Sequence, residues 1–199
     1  MIKAIFFDYH GVLDKRTFKG LLHILARHSH DPKTDLKFEE HLEKIIKKYS
    51  KLGDKYASGD VSSNEFWKTL KKDGFSNKEI NLAKKYILKV EKNKGLWKLL
   101  PSLRQKYHIG ILSDCPQDKT QLIRETMDLT KHFDNWFFSS DFKLTKNDMK
   151  FFRLMVSNGR FSTNECLFVD DSEKNVDFAK KLNFQGHVYR NNEYLKKLI

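Results

Sequence analysis

The stretch Ile2-Lys3-Ala4-Ile5-Phe6-Phe7-Asp8-Tyr9-His10-Gly11 decides the architecture. Residues 2–7 are nearly all apolar and show no polar alternation, the pattern of a strand buried on both faces inside a parallel sheet. The run stops at an acidic residue with glycine three positions later, a turn signal. Working outward, two further runs repeat it: His108-Ile109-Gly110-Ile111-Leu112 ends in Ser113-Asp114, and Cys166-Leu167-Phe168-Val169 ends in Asp170-Asp171. Each apolar strand therefore delivers polar, mostly acidic residues to its carboxyl end, the edge at which open α/β sheets bind ligands.

Between the first two strands the period changes to that of helices. Phe18, Leu21, Leu22 and Leu25 share one helical face, and Phe38, Leu42, Ile45, Ile46 and Tyr49 share another. Ser62 with Glu65, and Ser76 with Glu79, have the spacing of capping boxes that open two more helices. From Leu96 onward helical and strand patterns alternate. The predicted fold is therefore α/β: a doubly wound, Rossmann-like parallel-sheet core made of residues 1–14 and 94–199, with an all-helical cap inserted at 15–93.

Composition agrees with a folded chain of this kind. At 199 residues the length suits one domain with a sizeable insertion. An apolar fraction of 39% with only 3 Pro and 9 Gly excludes fibrous and disordered classes. No apolar run nears the roughly 20 residues that cross a bilayer, and the first strand starts too early for a cleavable leader, so a cytoplasmic location without membrane contact is expected. Cys115 and Cys166 have no disulfide or zinc spacing. The formal charge of +12 raises the question of nucleic acid. Residues 14–96 hold 20 Lys/Arg against 12 Asp/Glu, mostly lysines at helical spacing, which reads as a solvated face. Nucleic acid is not an expected partner. His23, His28, His30 and His41 lack metal-ligand spacing and read as surface or packed residues.

The motifs, taken in order, resemble those of the haloacid dehalogenase superfamily, in the subgroup with a helical cap after the first strand. Phe6-Phe7-Asp8-Tyr9-His10-Gly11-Val12-Leu13-Asp14 resembles the first motif, Ile111-Leu112-Ser113-Asp114 the second, and Phe168-Val169-Asp170-Asp171-Ser172 with Asn175 the fourth. Ser139 to Asp148 followed by Phe151-Phe152 resembles the third and puts the family's lysine at Lys146. Tyr56 to Trp67 resembles a recurring cap segment. The resemblance implies Asp8 as nucleophile, Ser113, Asp114 and Lys146 around the transferred group, and Mg²⁺ held by Asp8, the main-chain carbonyl of His10, Asp170 and Asp171.

Elementary chemistry agrees with those residue types. A carboxylate such as Asp8 can attack phosphorus and form an aspartyl phosphate. Two unit charges about 4 Å apart repel by about 4 kcal/mol at an effective dielectric near 20, so a site that gathers carboxylates and a phosphate requires cations. The implied function is a Mg²⁺-dependent phosphatase of a small phosphorylated metabolite.

One position departs from the family. Its phosphatases carry a second Asp two residues after the nucleophile as proton donor and acceptor, and here that residue is His10. An imidazole beside Mg²⁺ is expected to be a poor acid. Two other readings stay open: a dehalogenase-type hydrolase, since family dehalogenases also lack the second Asp, and a weakly active or non-catalytic phosphate-binding protein. The Asp170/Asp171 pair argues against the former, because carbon–halogen displacement needs no metal.

Overall fold

The computed structural model describes residues 1–30, 37–157 and 159–196. The first apolar run forms β1 (Ala4–Phe7), buried along its whole length. It is followed by β2 (His108–Ser113), β3 (Asn135–Phe138), β4 (Cys166–Asp170) and β5 (Gln185–Val188). All pair in parallel, in the order β3-β2-β1-β4-β5. Side chains alternate across the sheet as strand geometry requires. Ile5 and Phe7 pack on one face with Ile109, Ile111 and Leu100, whereas Ala4 and Phe6 pack on the other with Phe152, Phe168 and Ala179.

The edge strands β3 and β5 carry a weaker signal than the other three: the apolar run Trp136-Phe137-Phe138 of β3 is only three residues long, and β5 reads Gln185-Gly186-His187-Val188. Asn135, Trp136 and Phe137 are half-buried and Gln185 is exposed, because an edge strand has one open side and needs no unbroken apolar run. In the middle, the chain leaves β1 toward β2 and later returns to β4 on β1's other side. This is a topological switch point, and there the carboxyl ends of adjacent strands open a crevice.

Helices α1 (Phe18–Ser29), α2 (Phe38–Ser58), α3 (Ser63–Lys72) and α4 (Asn77–Ile87) come from the segment of helical period. Both capping boxes form: the Ser62 and Ser76 side chains accept from the Glu65 and Glu79 amides, and each glutamate reaches back to its cap's N–H. These four helices enclose an apolar core of their own, with Leu22, Leu25, Phe66, Leu70, Ile80 and Ala83 buried together. His23, which is exposed, and the half-buried His30 lie edge-on to Phe38. The remaining helices, α5 (Lys94–Arg104), α6 (Gln117–Thr126), α7 (Ser139–Phe142), α8 (Met149–Arg153), α9 (Glu173–Lys181) and α10 (Asn192–Lys196), alternate with the strands. No helix among the described residues is long and apolar enough to cross a membrane.

Two sets of contacts hold the four-helix segment over the sheet. Where the chain leaves and re-enters, Lys15 N donates to Glu91 O at 2.9 Å and Asn93 N to Leu13 O at 2.9 Å. Beneath this pair of connections Asp14 and Lys119 are fully buried and 2.9 Å apart, and the Lys119 ammonium also donates to Lys89 O at 2.8 Å. Farther out, Asp118 on α6 accepts from the Tyr56 and Ser63 hydroxyls, and Ser139 Oγ donates to Ala57 O. Gly59, left-handed at φ 78°, ends α2 where it meets Ser140.

Lys119→Met is expected to destabilise the protein by about 3–5 kcal/mol, because it leaves the Asp14 carboxylate buried without its counter-charge. Urea unfolding measures this. A loss below about 1 kcal/mol would show that the Arg16 and Glu91 amides, which also donate to Asp14, suffice to hold it.

Both cysteines are buried and their thiols are pushed up to about 12 by that burial. The thiolate is the reactive form, so near neutral pH both thiols are protonated and unreactive. Native protein is expected to show no fast reaction with a disulfide reagent, and two thiols after unfolding. A fast native reaction at Cys115 would place that thiol in an open site instead.

Candidate active site

Register brings the polar strand ends together. Phe7 pairs with Ile111 on one side and with Val169 on the other, so Asp8 and Asp170, the next residues of their strands, and Ser113, two positions past Ile111, emerge at the carboxyl edge. Asp8 is almost wholly buried and its carboxylate is held at both oxygens. Oδ1 accepts from Tyr9 N at 2.7 Å and from Ser113 Oγ at 2.6 Å, while Oδ2 is paired with Lys146 Nζ at 2.8 Å. Such a carboxylate has one orientation and no freedom to rotate.

Lys146 reaches the centre from the loop after α7, and neither Lys143 nor Lys150, its flanking lysines, shares that place: only 3% of its side chain is exposed. Its amide donates to Asp114 Oδ1 at 2.9 Å, and its ammonium bridges Asp8 and Asp170, the latter at 2.7 Å. Burial works against its charge, but Asp170, Asp8 and Asp114 more than reverse this and hold its pKa above the ordinary value. Asp170 is fixed from three sides. Besides Lys146 it accepts from Ser172 N at 2.8 Å and from Asn175 Nδ2 at 3.0 Å, contacts that also open α9.

Asp8, Asp170 and Asp171 each offer an oxygen, and these oxygens lie within 4.8 Å of one another. One ammonium faces three carboxylates there, which leaves a formal surplus of two negative charges. Burial raises the Asp8 carboxyl well above its ordinary 3.8, Lys146 opposes this, and the Asp170 and Asp171 charges add to the rise. Asp171 is raised by burial and by Asp170. An all-oxygen donor set with surplus negative charge fits a hard divalent cation such as Mg²⁺. Gly11, left-handed at φ 80°, lies against the same group: a Cβ there would overlap the Asp171 carboxylate.

His10 is placed differently from the other site residues named from sequence. Its ring bonds the Arg16 carbonyl, Nδ1 to O, at 3.1 Å and makes no hydrogen bond to Asp8. A carbonyl only accepts, so Nδ1 carries the proton and Nε2, which is buried without a partner, presents a lone pair. Burial and the Lys119 charge lower the imidazole to about 4. The neutral ring can accept a proton but has none to give.

Sequence reading passed over the buried Asp14–Lys119 pair and the Asp118 cluster. The helical period of α6 marks Lys119 as just another charged position, and only the tertiary fold shows that its ammonium turns inward.

A family model described as haloacid dehalogenase-like hydrolase matches residues 7–187. Among curated proteins none matches. Among solved structures, a HAD family enzyme from Bacteroides thetaiotaomicron aligns at 19% identity over 99% of this chain and 98% of that one, with a TM-score of 0.74. A HAD-like family hydrolase from Porphyromonas gingivalis aligns at 20% over 100% and 98%, with a TM-score of 0.69. The L-2-haloacid dehalogenase from Xanthobacter autotrophicus aligns at 19% over 99% and 82%, with a TM-score of 0.63. At these identities the likeness is one of fold.

Proposed function

The chain belongs to the haloacid dehalogenase-like hydrolases, and on that footing we propose that it is a Mg²⁺-dependent phosphatase of a small phosphorylated metabolite, working through an aspartyl phosphate on Asp8. The observation that carries the reading is the convergence of Asp8, Asp170 and Asp171 around one ammonium. A dehalogenase has no use for that acidic surplus. The Bacteroides enzyme of the same fold is solved in complex with magnesium and inorganic phosphate, which supports the same choice.

In the proposed reaction an Asp8 oxygen attacks phosphorus and the bond to the ester oxygen breaks. Water then attacks the phosphorus of the aspartyl phosphate, returning the Asp8 carboxylate and releasing inorganic phosphate. Tyr9 N and Ser113 Oγ hold Asp8 in the attacking orientation, and with substrate bound the Ser113 hydroxyl would turn its proton to a phosphoryl oxygen and leave Tyr9 N to hold Asp8. Lys146 balances part of the charge that accumulates in the transition state. Asp8, Asp170, Asp171 and the main-chain carbonyl of His10 would hold Mg²⁺, which when bound supplies Lewis-acid neutralisation of the phosphoryl oxygens and favours the ionised Asp8.

His10 determines which esters react well. Its Nδ1 proton is committed to Arg16 O and its Nε2 carries none, so it donates no proton to the departing oxygen in the first step, which takes its proton from solvent. A missing general acid costs roughly 10² to 10⁴ in rate for poor leaving groups. Acyl and aryl phosphates are therefore expected to outpace alkyl phosphates, and His10→Asp to raise the alkyl rate most. Phosphate release with and without Mg²⁺ across esters of graded leaving-group pKa tests both points. Equal dependence on leaving-group pKa in the two proteins removes the role of position 10, and absence of Mg²⁺-dependent release from every ester removes the function.

A further inference from the structure

Beside the carboxyl ends of β1 and β2 lies a cavity of ≈160 Å³, enclosed between the sheet and the four-helix segment. His10 and Asp114 line it from the sheet side; Phe18, Asp54, Tyr56 and Ile87 line it from the helices. Small-molecule pockets typically measure about 300–1,000 Å³, so this one admits only a compact leaving group.

Its chemistry runs against that of the whole molecule. The chain carries a formal +12, yet the cavity wall has two carboxylates and no lysine or arginine. The buried ammonium groups of the active-site region are paired, Lys146 with Asp8 and Asp170 and Lys119 with Asp14. Phe18 and Tyr56 add aromatic surface, the usual partner of an alkylammonium face. The two carboxylates are the charged groups of the wall: Asp114 shares the Lys146 charge with Asp8 and Asp170, and Asp54 has no ion pair among the described residues, so an anionic group placed there would meet like charge.

We propose that the leaving group carried by this cavity is a small cationic alcohol, so that the substrate class is the phosphate monoester of an amino or quaternary-ammonium alcohol, with Asp54 and Asp114 facing the cation and Phe18 and Tyr56 its alkyl surface. The proposal rests on the phosphatase reading and adds the identity of the group that departs. It separates the protein from enzymes for phosphorylated acids, whose carboxylate this wall repels. A 2-haloacid is repelled for the same reason.

The test compares three esters in the presence of Mg²⁺: phosphocholine, its uncharged isostere 3,3-dimethylbutyl phosphate, and the anionic 2-phosphoglycolate. Wild type is expected to show kcat/KM at least about tenfold higher for phosphocholine than for the isostere, the equivalent of one desolvated cation–π contact, with phosphoglycolate slowest. Part of that ratio belongs to the ammonium's effect on the leaving oxygen, so the deciding quantity is its change in Asp54→Asn. Leaving-group chemistry is identical in the two proteins. Asp54 is exposed, which spares the fold, and Asp54→Asn is expected to reduce the charged-to-neutral ratio by about threefold or more, chiefly through KM. An unchanged ratio, or a wild type that favours the isostere or phosphoglycolate, overturns the cationic assignment. If p-nitrophenyl phosphate is hydrolysed with Mg²⁺ at the same time, the phosphatase reading survives that result; if no phosphate is released from any of the four, both fall.

Discussion

Asp8→Asn is expected to lower Mg²⁺-dependent phosphate release by at least about 10⁴-fold, since the amide cannot form the phosphoenzyme and what remains is binding and electrostatics alone. The fold should persist. Asn retains an oxygen for Tyr9 N and Ser113 Oγ, and the substitution relieves the repulsion that Asp8 suffers from Asp170 and Asp171. Single-turnover phosphate release, with circular dichroism as the control for folding, measures the effect. Retention of more than about a hundredth of wild-type turnover would mean that water attacks phosphorus directly, with Asp8 only a ligand or a base.

The second large effect is expected at Asp170. Its carboxylate is fully buried and receives Lys146, Ser172 N and Asn175, so Asp170→Ala removes a counter-charge and strands several donors at once. A loss of about 3–5 kcal/mol in stability should follow. Mg²⁺ binding should go with it. A ligand at 100 times its dissociation constant stabilises the folded state by about 2.7 kcal/mol, so wild type is expected to melt higher as Mg²⁺ is added. Asp170→Asn separates the two consequences, because its carbonyl oxygen still accepts from Ser172 N while the charge is gone. It should lose the Mg²⁺-dependent rise in Tm and keep more of the metal-free stability than Asp170→Ala, because the Ser172 contact survives while the Lys146 charge loses its partner in both. An undiminished Mg²⁺-dependent rise in an Asp170→Ala, Asp171→Ala double variant would put the cation elsewhere.

These two variants act on the same cluster from opposite directions. Asp8→Asn lowers the surplus of negative charge and Asp170→Ala strips the lysine of a partner. The first is expected to leave the protein folded but inactive, and the second to leave it both inactive and weakened. That contrast follows from how each carboxylate is satisfied, since Asp8 is crowded by like charges while Asp170 is surrounded by donors.

By itself the sequence determined that three strands are buried on both faces, because a run such as Ile5-Phe6-Phe7 or Leu167-Phe168-Val169 has no polar face to offer water. It likewise determined that those strands end in Asp8, Ser113 and Asp170, and that the intervening helices open at Ser62 and Ser76, since these are local properties readable from spacing. The edge strands β3 and β5 needed the tertiary structure, because the apolar run Trp136-Phe137-Phe138 is too short, and Gln185-Gly186-His187-Val188 too polar, to mark a strand locally. Tertiary structure also decided which charges meet. The motif resemblance singled out Lys146 from its flanking lysines, but its pairing with both Asp8 and Asp170 depends on how the loop after α7 crosses the sheet edge. Lys119 and Asp14 stand 105 residues apart and meet only because α6 packs beneath the chain's two crossings into the helical segment. For His10, the residue type announced a departure in proton chemistry, but only the Arg16 carbonyl assigned the tautomer. The physical reason is common to all of these: burial pattern and capping are written over spans of a few residues, whereas the pairing of charges and the direction of a hydrogen bond depend on groups that the chain brings together from far apart.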